Sequence, residues 1–117
     1  MNNVLYICDM EREIFAYKDY FKDFFLCLDK GVQDKILYVL MLLQTQDRVP
    51  VKFMRLIEDG LYELRIEYEG NIYRIFFCFD GGKIVILFNA FQKKTQKTPK
   101  SEIEKAKRLK KEYYGSK

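Results

Sequence analysis

The chain has 117 residues, 49% of them hydrophobic, which is the length of one domain with enough apolar surface for a core. It contains no histidine, which excludes Ser-His-Asp and Cys-His catalysis, histidine acid/base pairs and histidine-ligated metals. The net charge of +4 is unevenly spread: Phe91 to Lys117 holds ten Lys/Arg and three Glu, while residues 1–90 hold eleven Lys/Arg and fourteen Asp/Glu. A basic tail on a mildly acidic body suits a polyanion or an acidic partner; it also fits a merely solvated helix face.

No apolar run is long enough to span a bilayer and no signal peptide is visible, so a cytoplasmic location is expected. Cys8, Cys27 and Cys78 have no metal or redox spacing. They read as small buried hydrophobes in a reducing compartment, and neither a metal nor a cofactor is expected.

Met1 to Met10 reads as an extension of uncertain status, and residues 11–117 as a single domain. Glu13 to Tyr17 alternates weakly, as a first strand does. Asp19 starts a helix in which Phe21, Phe24, Phe25 and Leu28 recur at three- and four-residue spacing. Asp29-Lys30-Gly31 breaks it. A second helix runs from about Val32 to Gln46, with Val32, Ile36, Val39, Leu40 and Leu43 as its buried stripe, widened by Leu37, Met41 and Leu42. The short connection makes the pair an antiparallel helical hairpin. Pro50 ends it, and Val51 to Asp59 is expected to be a connector.

Two hairpins follow. If Glu69-Gly70 is the first loop, Tyr68 pairs with Asn71 and Leu64 faces Ile75, Ile66 faces Tyr73 and Tyr62 faces Phe77. The same register sets Arg65 opposite Arg74. Like charges face to face destabilise a ladder unless something anionic lies between them. Glu63 and Glu67, on the same strand face, could fill that role; so could a bound phosphate.

Asp80-Gly81-Gly82-Lys83 is the second turn. With a two-residue loop there, Arg74's face is expected to carry Val85, Leu87, Asn89, Phe91 and Lys93, while Ile84, Ile86, Phe88 and Ala90 form an apolar face. Gln92 to Lys97 is a lysine-rich linker. Thr98-Pro99 is a helix start, with Ser101 and Glu104 as a rival capping box. Ile103, Ala106, Leu109 and Tyr113 line one side of a basic last helix. The order predicts an α+β layer arrangement with helices over the apolar face of an antiparallel sheet and the other face partly open.

The stretches YELRI, NIYRIFF, FDGGKIV and above all FQKKTQKTPKSEIEKA, with RVPVKFMRL ahead of them, resemble the phage-derived Gp49-like/HigB branch of the RelE/ParE toxin superfamily. The resemblance spans about Glu11 to Tyr114. It implies a RelE-like fold, with an N-terminal helical hairpin packed on a twisted antiparallel sheet and a basic C-terminal helix. It also implies a cytoplasmic toxin of a type II toxin–antitoxin system that enters the ribosomal A site and cuts mRNA. A HigA-like helix-turn-helix antitoxin would hold it inactive. The protein-binding, gyrase-inhibiting habit of ParE relatives, or a non-catalytic ribosome- or RNA-binding module, is the alternative.

RNA can be cut without metal when its own 2′-hydroxyl attacks the adjacent phosphate. Arg65 and Arg74 are the candidates to grip the non-bridging oxygens. Lys93 or Lys94, crowded by cations and so less basic, is the candidate base. Lys52, Arg55, Asn89 and Lys97 are candidates for flanking contacts. Phe91 either stacks on a base or packs under the last helix. On this reading Arg74→Ala loses activity with the fold intact. Neither Tyr113 nor Tyr114 is assigned a catalytic role.

Overall fold

A computed structural model describes residues 11–93 and 97–117. The expected extension at Met1 to Met10, with Cys8, and the candidate Lys94 lie outside the described residues.

The elements are β1 (Glu13–Ala16), α1 (Tyr20–Leu26), α2 (Lys30–Thr45), β2 (Met54–Glu58), β3 (Leu61–Tyr68), β4 (Asn71–Asp80), β5 (Ile84–Lys93) and α3 (Lys100–Gly115). The five strands form one sheet in the order β1-β5-β4-β3-β2. β1 precedes the helical hairpin and pairs with β5 in parallel, whereas the other pairs are antiparallel. The sheet is therefore mixed, which corrects the antiparallel expectation. A parallel neighbour needs a crossover connection, and here α1, α2 and the other strands intervene between the partners.

β2 replaces the expected connector over Val51 to Asp59. Its turn is Asp59-Gly60, with φ of 43° and 76°. Two positive φ angles are what a two-residue hairpin turn of the twist-matched kind requires, and Asp-Gly supplies them cheaply. Glu69-Gly70 repeats the solution at 49° and 80°. The β3–β4 register is the expected one: Tyr68 pairs with Asn71, Arg65 with Arg74 and Tyr62 with Phe77.

The β4–β5 hairpin differs. Asp80 pairs with Ile84, so the loop is the three residues Gly81-Gly82-Lys83. The longer loop inverts the expected faces: Val85 and Leu87 point to the α1–α2 side, and Ile86 and Phe88 to the other. A bulge then inserts one extra residue in β5, since Ile75 pairs with Ala90 but Phe77 with Leu87. Beyond it Arg74 pairs with Phe91 and Ile72 with Lys93. The second inversion returns Phe91 and Lys93 to the face where they were expected.

Both faces of the sheet carry a core. On one, Val32, Ile36, Val39 and Leu43 of α2 pack on Leu64, Ile66, Tyr73, Ile75 and Phe77. On the other, Ala106 and Leu109 of α3 pack on Leu61, Phe76, Cys78, Ile86 and Phe88. The helices are thus not confined to one side; α3 covers part of the face expected to be open. Leu37 and Met41, counted in α2's buried stripe, are 52% and 47% exposed. α1 is only seven residues long and has no fully buried residue, so it covers little of α2. Cys27, expected to be buried, is exposed at the C-cap of α1. Among the described residues no helix is long and apolar enough to cross a membrane.

Candidate functional site

Strand alternation puts Glu63, Arg65 and Glu67 on the face of β3 opposite Leu64 and Ile66. The β2 register brings Arg55 opposite Glu63, and the β4 register brings Arg74 one diagonal step away. Glu63 is fully buried beside Phe76. A carboxylate there is tolerable only when its oxygens are well bonded. Glu63 Oε1 accepts from Arg74 Nη1 at 2.5 Å and from Arg55 Nη2 at 3.1 Å. Glu63 Oε2 accepts from the Thr98 hydroxyl at 3.1 Å. One carboxylate thus joins β2, β4 and the lead-in to α3.

Arg65 is held separately, its Nη1 donating to Glu67 Oε1 at 3.3 Å. The facing arginines are therefore each neutralised by a carboxylate of β3, as one of the two readings required. Their exposure differs in a way that decides their roles: the side chains of Arg55 and Arg65 are 59% and 35% exposed, while that of Arg74 is 7% exposed. Arg55 and Arg65 can meet a ligand. Arg74 is the buried partner that carries positive charge beneath them. Burial, and the nearby Arg55 and Arg65 cations, lower its pKa against the opposing pull of Glu63. Among the described residues Arg74 Nε is buried without a hydrogen-bond partner. A donor left in that state raises the affinity of the spot for an acceptor.

Lys93 lies on the same face, half-buried at the end of β5. Burial depresses its pKa, and the cations of Arg74, Arg55 and Arg65 add to the effect, with Glu63 partly offsetting them. The arrangement is a patch of four cations around two carboxylates, with an ammonium of reduced basicity at its rim.

The other candidates are distributed as follows. Lys52 lies beside Arg65, lining a recess with Lys35, Phe53 and Glu67. Lys97 is exposed on the approach to α3. Asn89 does not join the cluster: it is buried at the bulge, and its amide donates to the Glu102 carbonyl at 3.1 Å and to Glu102 Oε1 at 3.0 Å. Phe91 packs against the α3 core and stacks on Phe76 at 5.8 Å between centroids. Tyr113 and Tyr114 sit at the far end of β4, bonded to Asp80 Oδ2 and the Phe79 carbonyl respectively. Six residue steps along the strand, roughly 20 Å, separate Asp80 from Arg74.

Thr98 is the residue sequence reasoning missed. Its place before Pro99 predicts a helix cap, but Pro99 occupies the N-cap position and the hydroxyl goes to Glu63 instead. No local pattern announces that contact. Arg55's tie to Glu63 was hidden for a related reason, since β2 was not expected.

Fold and site together define a small α+β domain with a cationic patch where its sheet meets its basic tail. Residues 23–111 match the model of the phage-derived Gp49-like protein family, and the chain belongs to that family. The match includes every residue of the patch. No curated protein matches the chain.

Proposed function

We propose that the protein is the toxin of a type II toxin–antitoxin pair: a RelE-like, ribosome-dependent mRNA endoribonuclease that works in the cytoplasm without a metal. A HigA-like helix-turn-helix antitoxin would hold it inactive. The observation that carries this reading is the convergence of Arg55, Arg65, Arg74 and Lys93 on one sheet face, with the basicity of Lys93 depressed. Membership of the Gp49-like family, which is associated with such toxins, agrees with it.

In the mechanism the RNA supplies its own nucleophile. The 2′-hydroxyl loses its proton to neutral Lys93 as its oxygen bonds to phosphorus. The bond to the 5′-oxygen breaks, the leaving oxygen takes a proton from water, and the products are a 2′,3′-cyclic phosphate and a 5′-hydroxyl. Arg65 and Arg55 grip the non-bridging oxygens as charge builds on them, and the buried Arg74 adds a fixed positive potential from below. The groups available are weak acids and bases, so substrate alignment falls to the ribosome and free RNA is cut negligibly.

Mapping mRNA 5′ ends after induction tests the reading. Codon-spaced new ends that vanish in Arg65→Ala support it. DNA breaks without such ends would assign the protein to gyrase inhibition, and salt-sensitive ribosome binding without cuts to a binding module.

A further inference from the structure

A recess of about 260 Å3 opens beside the arginine cluster, at the sheet edge where β2 has not yet begun. It is lined by Lys35, Lys52, Phe53, Arg65 and Glu67, three cations against one carboxylate. Separate features bring these residues together. The Arg65 N–H donates to the Phe53 carbonyl at 2.8 Å, which fixes Phe53 alongside β3. Lys52 Nζ lies 5.0 Å from the Phe53 ring centroid. Lys35 comes from α2, one turn beyond Gly31, where an added Cβ would lie 2.3 Å from the Tyr68 hydroxyl. The missing side chain lets α2 press on the end of β3 and brings Lys35 to the Arg65–Glu67 edge.

We propose that this recess takes one phosphate of single-stranded RNA, adjacent to the linkage held by the arginine cluster, with the attached base against Phe53. The assignment rests on the ribonuclease reading and names the subsite that places the strand. Size supports it: the volume falls just under the roughly 300 Å3 at which small-molecule pockets begin, so the recess suits a piece of a polymer. Charge supports it as well. Cations drawn together with one carboxylate repel one another, and a phosphate relieves that repulsion. Arg65 belongs to both places. It faces Arg74 across the ladder and lines the recess, so one strand of RNA can engage both without a gap. Its contact with Glu67 is a partly exposed 3.3 Å pair, which a phosphate can replace without stranding a buried charge.

The test is fluorescence anisotropy of the full chain with a 2′-O-methyl oligoribonucleotide, which cannot be cleaved, over a salt series. Lys35→Ala keeps the fold, because alanine favours a helix. It is expected to weaken binding uniformly across sequences and to reduce the slope of log K against log salt by about 0.7. Phe53→Leu should weaken binding about tenfold while leaving that slope unchanged. Lys83→Ala, in the remote β4–β5 turn, is the control. If Lys35→Ala and Phe53→Leu both behave like Lys83→Ala while Arg65→Ala weakens binding, the subsite is wrong and the ribonuclease reading stands. If Arg65→Ala is also silent, or the wild type does not bind the oligonucleotide, the subsite falls, and the ribonuclease reading falls only if the mapped mRNA 5′ ends are absent as well.

Discussion

Arg74 Nη1 meets Glu63 Oε1 at 2.5 Å with the two side chains 7% and 0% exposed, so the pair is a buried ion pair rather than a surface one. Removing Arg74 leaves the buried Glu63 carboxylate with only the more exposed Arg55 as counter-ion and the Thr98 hydroxyl as donor, at a cost of up to about 3 kcal/mol. Arg74→Ala is therefore expected to unfold at markedly lower urea, contrary to the sequence expectation of an intact fold. Replacing both residues with apolar side chains of similar volume should restore much of the loss. A double-mutant cycle read by urea unfolding checks this; additive effects would mean that the two residues are not coupled.

Function and stability should separate at the exposed arginines. Arg65→Ala and Arg55→Ala remove partly exposed ion pairs and should change stability by no more than about 1 kcal/mol. The same substitutions should lower cleavage by about 100-fold each, as loss of an oriented cationic donor does. Melting curves and primer extension on the same preparations check the contrast.

Lys93 sets a pH dependence. Its pKa is lowered from 10.5 in the folded chain, by burial first and then by neighbouring cations. The folded state therefore binds fewer protons than the unfolded state between that lowered value and 10.5, and stability rises with pH across the window. Lys93→Met should abolish the rise. Cleavage should climb with pH as the ammonium deprotonates. In Arg55→Ala the climb should move to higher pH, because one depressing cation is gone. An unmoved limb would remove Lys93 from the role of base.

The C-terminal tyrosines should be silent in activity and visible in stability. Tyr113 donates to Asp80, and that bond pushes its pKa up to about 12. The stabilisation is complete below the ordinary value of 10 and disappears as pH rises through about 12. Tyr113→Phe should cut mRNA as the wild type does, and lose less stability than the wild type on that alkaline limb.

Asn89 should behave as a structural residue. Its amide holds the first turn of α3 through Glu102, so Asn89→Ala is expected to cost about 1–3 kcal/mol. RNA affinity at equal fraction folded should not change.

How much of this was legible depended on loop length. At Glu69-Gly70 the sequence allows a two-residue turn that pairs apolar residues on both strands, so the register and the Arg65–Arg74 opposition could be read directly. At Asp80-Gly81-Gly82-Lys83 several loop lengths are open, and the wrong one inverted the faces of Val85 and Leu87. Asp59-Gly60 carries a hairpin signal, but the MRLIE stretch before it alternates poorly and so does not announce a strand for it to join. Contacts made by sequence-distant groups had no local signature: β1 beside β5, or Thr98 on Glu63 across 35 positions. The basic tail announced a polyanion, but composition alone does not say which arginine lies beneath and which face solvent.

The bulge in β5 has an evolutionary corollary. Removing its extra residue would rotate everything downstream by half a pleat, sending Lys93 into the layer beneath α2 and Phe91 with it. A lone deletion there, or a lone change of length in the glycine turn before it, would be lethal to the domain, whereas a matched pair of such changes would leave the tail where it is. Among descendants of this chain, length variation at those two points should appear only in compensating couples.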